Sequence, residues 1–173
     1  MKKQMYKLFV IALFTPLLLL VVGCTETETK VQDENIKSIE AVLQNALTGP
    51  SEELKQMLES KGLEDLVQYE ENLYKDYFAN DTSYLEFVNS YGSTLMIEPT
   101  RNQFKLKIKN IEYEKTDSKE NIYNFTINLQ YQKEGSEESE VEMVSGEANL
   151  NDEHKIEYME IGIGDFLSSL HKK

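Results

Sequence analysis

The spacing of apolar residues along this chain changes twice. Leu8 to Val22 is an apolar run broken only by Thr15 and Pro16; from Ile36 to Tyr91 apolar residues recur every three or four positions, and from Phe104 to Ile163 every two. A helix brings residues three and four apart to one face, whereas a strand alternates its faces. The two periodic stretches therefore predict amphipathic helices followed by half-buried strands.

The first predicted helix carries Ile36, Ile39, Val42, Leu43, Ala46 and Leu47 on one face and stops at Thr48-Gly49-Pro50. Ser51 suits the N-cap of a second, with Glu52 and Glu53 in a first turn where the helix dipole favours acids. Leu54, Met57 and Leu58 face inward before Lys61-Gly62 ends it. A third stretch spaces Leu66, Val67, Leu73, Tyr74, Tyr77 and Phe78 for a helix, closed by Asn80-Asp81. A fourth runs from Ser83 to Tyr91, with Gly92 suited to its C-terminal stop. The aromatics at this spacing read as core rather than as a ligand cage.

Beyond Glu98-Pro99-Thr100 the period is two. Phe104, Leu106 and Ile108 alternate with lysines; Tyr123, Phe125, Ile127, Leu129 and Tyr131 alternate with polar residues; Val141 to Leu150 and Lys155 to Ile163 complete four strands. Polar turns at Asp117 to Glu120, Glu134 to Glu138 and Asn151 to Glu153 join them as an antiparallel meander. The apolar parity slips between Ile108 and Ile111, between Met143 and Val144, and between Tyr158 and Met159. A one-residue slip would turn the apolar set to water, so each predicts a β-bulge, and several bulges predict a curved sheet. The amino-terminal helices are the elements available to cover its concave face. The fold class expected is α+β, with helices packed on a curved antiparallel sheet, and a last short helix at Asp165 to His171.

The apolar run has a different meaning. It follows Lys2, Lys3 and Lys7 with no acid, and it falls short of the roughly 20 residues that span a bilayer, so it reads as an export signal. It ends in Val21-Val22-Gly23-Cys24, which resembles the lipobox of bacterial lipoproteins. That resemblance implies cleavage between Gly23 and Cys24 and a diacylglycerol on the Cys24 thiol, the chain's one cysteine. Two acyl chains anchor a protein stably where one is marginal. The expected organisation is a leader at 1–23, a flexible polar tether at 24–34 and one domain at 35–173. With a single cysteine, an exported domain has no internal disulfide and relies on its apolar core.

Charge narrows the partners. The chain carries 31 acidic against 18 basic residues, a net −13, and loss of the three leader lysines makes it more acidic still. Phosphate backbones and anionic lipid surfaces would repel such a domain, which argues against nucleic acid and assigns membrane contact to the lipid.

The order of elements resembles the NTF2-like, cystatin-like α+β cone. The wording "NQFKLKIKNIEYEK" at 102–115, "YNFTINLQYQKEGS" at 123–136 and "NLNDEHKI" at 149–156 is similar to that of NTF2-like lipoproteins of Gram-positive bacteria. The resemblance implies a deep pocket between sheet and helices and a place on the outer face of the cytoplasmic membrane. Many domains of this fold form a homodimer through the outer sheet face; here the outward rows Lys105, Lys107 and Lys109 and Glu140 and Glu142 would meet their own kind or each other depending on register, which leaves pairing open. The resemblance does not imply an activity, because the cone houses isomerases, dehydratases and non-catalytic modules alike.

Enzymes on this cone place Asp or His inside the cavity, where burial tunes the pKa. The inward strand positions here offer tyrosine hydroxyls and no base, while His154 and His171 fall where water is expected. Neither histidine has metal-ligand spacing to a partner, so no catalytic residue, metal or cofactor is expected. The acid runs Glu70-Glu71 and Glu137-Glu138-Ser139-Glu140 read as solvated faces. The leading reading is a non-enzymatic lipoprotein binding a small apolar ligand or an envelope protein. The alternatives are a small-substrate isomerase or hydrolase using the pocket, and a structural module of envelope or spore assembly whose pocket its own tyrosines fill.

Overall fold

A computed structural model describes residues 33–60 and 63–171. The leader, Gly23, Cys24 and nearly all of the tether lie outside them. Asp33 caps the first helix, α1 (Glu34–Leu47), its carboxylate accepting the Asn35 N–H at 2.9 Å. The buried face of α1 holds Ile39, Val42, Leu43, Ala46 and Leu47, the stripe its 3.6-residue period demands.

After the turn at Gly49-Pro50, Ser51 accepts the Leu54 N–H at 3.0 Å and opens α2 (Glu52–Ser60). Next come α3 (Leu63–Tyr74) and a 3₁₀ turn (Lys75–Tyr77). Asn80 then caps α4 (Asp81–Ser90) by accepting the Ser83 N–H at 3.0 Å.

A further helix, α5 (Gly92–Arg101), occupies the stretch where the sequence pattern shows none. Gly92 does not end the helical region; at φ +25° it is the elbow between α4 and α5. Pro99 inside α5 costs on the order of 3 kcal/mol, but Leu95 and Met96 are buried, each contributing roughly 1.5–3 kcal/mol, so packing offsets the break.

Four strands follow, β1 (Phe104–Lys115), β2 (Asn121–Lys133), β3 (Glu140–Leu150) and β4 (Ile156–Ile161), and then α6 (Gly164–Leu170). They form one antiparallel sheet in the order β1-β2-β3-β4, an α+β fold of helices on an open sheet. Two of the three predicted bulges are present. One lies between Ile108 and Asn110, the other on β4 where Leu150 and Asn149 face Ile156 and Tyr158.

The third is absent: β2 and β3 pair without interruption from Asn121/Leu150 to Tyr131/Glu140. Val141 and Met143 therefore point to the outer face, while Glu140 and Glu142, expected outward, share the parity of Tyr131 and Leu129. The core lies between the inner sheet face and the helices. It includes every inward position named on β1 and β2, from Phe104 to Tyr131.

Candidate functional site

The concave space under the sheet is filled by the chain itself. Tyr123, Phe125, Ile127, Leu129 and Tyr131 are at most 4% exposed, and against them pack Tyr74, Phe78, Tyr84 and Phe87 from the helical layer. The rings meet edge-on or tilted: Tyr74–Phe87 at 5.2 Å, Phe78–Phe87 at 5.0 Å and Tyr131–Phe166 at 5.1 Å between centroids. The deep pocket implied by the family resemblance is taken up by these side chains. Beside Pro50, Leu54, Leu95, Met96 and Leu106 a residual cavity of about 30 Å³ is left, room for little more than a water.

Two polar groups sit inside this apolar layer. Glu70 is 5% exposed on α3, and Tyr74, one turn later on the same helix, is fully buried with no hydrogen-bond partner for its hydroxyl among the described residues. Burial and the neighbouring Glu70 hold the Tyr74 phenol far above its ordinary range, so it stays neutral.

At the open end of α1 a hydrogen-bonded chain links four residues. Tyr123 donates to Asp33 Oδ2 at 2.5 Å, Asn35 Nδ2 donates to the Tyr123 hydroxyl at 3.1 Å, and Asn35 Oδ1 lies 2.8 Å from His154 Nδ1. Since Asn35 offers an acceptor there, the imidazole carries its proton on Nδ1. His154 is itself exposed, in a left-handed turn at φ +62° whose carbonyl accepts from Ser38 at 2.7 Å. Asp, Tyr and His thus meet, and their hydrogen bonds fasten the start of α1 to β2 and to the β3–β4 turn. His171, at the other end of the fold, stands 3.1 Å from Glu98 on α5.

The roomiest concavity among those described is an open groove of about 450 Å³ on the outside of β1. The edge of β1 is closed there by Gly49, which exchanges both backbone hydrogen bonds with Leu106 at 3.1 and 2.8 Å. Lys55, Lys105 and Lys107 line it, with Gln130 and Gln132 behind. Lys55 is clasped by Glu134 at 2.8 Å and Glu52 at 3.6 Å, so its pKa is raised and that of Glu134 lowered. Lys105 and Lys107 form no ion pair among the described residues. The outward lysines of β1 were legible from alternation; that Lys55 joins them was not, because only the turn at Gly49 brings α2 to β1.

The predicted lipid site, Cys24 with Gly23 before it, lies outside the described residues. Among those residues no helix is long and apolar enough to cross a membrane.

Fold and surface together define an α+β domain whose interior is packed with aromatic side chains. No protein-family profile matches the chain, and no curated protein matches it. Among solved structures, the chain is similar to TraH, described as a transfer protein of the Gram-positive conjugative plasmid pIP501 and solved by NMR in solution. The identity is 15%, the TM-score is 0.48, and the match covers 75% of this chain and 92% of that one. A likeness of that extent carries no argument about function.

Proposed function

We propose that the chain is a lipoprotein of the outer face of a Gram-positive cytoplasmic membrane, held by lipid on Cys24. Its NTF2-like domain is a non-catalytic module that recognises a protein of the envelope. One observation carries the recognition reading: the space that would hold a ligand in a cone of this kind is occupied by Tyr74, Phe78, Phe87, Tyr123, Phe125 and Tyr131. With the interior closed, recognition falls to the outside of the sheet and its edges. The non-catalytic reading is supported by the same packing, since Glu70 and Tyr74 are buried in the core and His154 is engaged in fastening α1.

Two measurements test these statements separately. Cys24→Ser is expected to leave the leader uncut and to abolish palmitate incorporation; wild-type protein that takes up no label refutes the anchor. Native mass spectrometry of the protein purified from its own host should give the mass of the lipidated polypeptide alone. A co-purified small molecule would instead favour ligand binding or the isomerase or hydrolase alternative.

A further inference from the structure

The free sides of this sheet are treated unequally. On β4 the Ala79 N–H donates to the Ile156 carbonyl at 2.9 Å, and the Tyr91 hydroxyl accepts the Ile161 N–H at 2.8 Å. On β1 the Gly49 exchange closes Leu106. An unpaired edge is a template for another strand, and these contacts occupy it at Leu106, Ile156 and Ile161.

The first half of β3 has no such cover. β4 accompanies β3 only from Gly146 to Leu150, and the chain departs at Gly162, whose N–H donates to the Ser145 carbonyl at 2.8 Å. Ser145 thus directs its backbone groups away from β2. By the two-residue repeat so do Val141 and Met143, while Glu140, Glu142 and Val144 turn theirs toward β2. Among the described residues, no backbone group meets the N–H and C=O of Val141 or Met143. Their side chains, 58% and 69% exposed, are the most exposed large apolar groups described. On the other face of the same half-strand stand Glu142 and Glu140, the latter accepting from the Tyr131 hydroxyl at 2.7 Å.

We infer that Glu140–Val144 is a docking edge for an extended basic segment of a partner protein, which adds to the sheet beside β3. The segment hydrogen-bonds to Val141 and Met143, lays apolar side chains over theirs, and sets Lys or Arg against Glu142 and Glu140 on the opposite face. Charge selects the occupant. A second copy pairing here about a two-fold axis would bring Glu142 and Glu140 against their own kind, and like charges across a strand pair are unfavourable. The inference rests on the interaction reading above and supplies the chemistry of the partner.

The test uses the full-length, isotopically labelled protein in detergent micelles and two capped hexapeptides, alternating Lys-Val and alternating Glu-Val. The lysine peptide is expected to shift the Val141 and Met143 amides and slow their hydrogen exchange, binding about tenfold tighter than the glutamate peptide. Glu142→Lys, at an exposed side chain, should reverse that preference. Met143→Pro, which removes an edge donor, should abolish binding with the far-ultraviolet circular dichroism unchanged. The inference is overturned if the lysine peptide moves no amides or moves amides scattered over the acidic surface. It is equally overturned if Glu142→Lys leaves the preference as it was, or if the free protein is a dimer already protecting Val141 and Met143. A small molecule bound inside the domain would sink the interaction reading instead, without changing these peptide results.

Discussion

The Phe125 ring occupies the space that a side chain at Gly146 would need. The two residues face each other across β2 and β3, and a Cβ at position 146 would stand 2.3 Å from Phe125 Cζ and 2.2 Å from the Glu160 carbonyl oxygen. One obstacle is a fully packed ring and the other is backbone, so neither yields cheaply. Gly146→Ala is expected to cost about 3 kcal/mol, read as a lower midpoint in urea. Shrinking the ring as well, in Phe125→Leu with Gly146→Ala, should recover none of it, because the carbonyl remains and a core ring is lost.

Tyr123→Phe removes the hydroxyl that donates to Asp33 and accepts from Asn35, leaving the nearly buried Asn35 amide short of a partner. The expected loss is about 1–3 kcal/mol. Amide hydrogen exchange should quicken in the first turn of α1 and stay as it was in α4.

Tyr74→Phe should act in the opposite direction. Its hydroxyl is buried and makes no hydrogen bond among the described residues, so its removal is expected to stabilise the fold at neutral pH by up to about 1 kcal/mol. The phenol also couples folding to alkali. Its folded pKa lies above the ordinary 10.0, so its contribution is constant below pH 10 and falls above it, where the unfolded chain ionises and the folded one does not. Tyr113, raised by burial and by Glu40, adds to the same slope. Thermal melts at pH 7 and pH 11 should show a smaller alkaline loss in Tyr74→Phe than in wild type.

The Lys55–Glu134 clasp bridges α2 and the end of β2 at the surface. Glu134 should titrate below its ordinary 4.5 by carboxyl NMR and rise in Lys55→Met, which removes the Lys55 hydrogen bond and charge. The contribution of the pair is present above pH 4.5 and lost as pH falls through the lowered value. At neutral pH the melting temperature of Lys55→Met should match wild type closely, because water screens an exposed pair.

Most of the framework is legible in the sequence because its signals are local: the α1 stripe, the Ser51 cap, the two-residue alternation of β1 and β2, the slip after Ile108, and a slip in β4, expected at Tyr158/Met159 and found between Ile156 and Tyr158. Where local signals mislead, tertiary contacts decide. Gly92 and Pro99 argue against a helix, yet burial of Leu95 and Met96 supplies one. Val141 and Met143 are apolar enough to predict an inward row, but the uninterrupted pairing with β2 turns them out. The Asp33–Tyr123–Asn35–His154 chain joins residues up to 121 positions apart, with no motif to announce it. How fully large aromatics close a concave sheet depends on their rotamers, which spacing does not specify.

Asp33 is both the cap of α1 and a hydrogen-bond partner of Tyr123 on β2, a strand flanked on both sides. Traction applied at Asp33 therefore reaches the middle of the sheet directly. Release would require shearing that attachment first, where a free helix end could have been peeled away turn by turn. A domain pulled from its amino-terminal side has its hitch bolted to its frame.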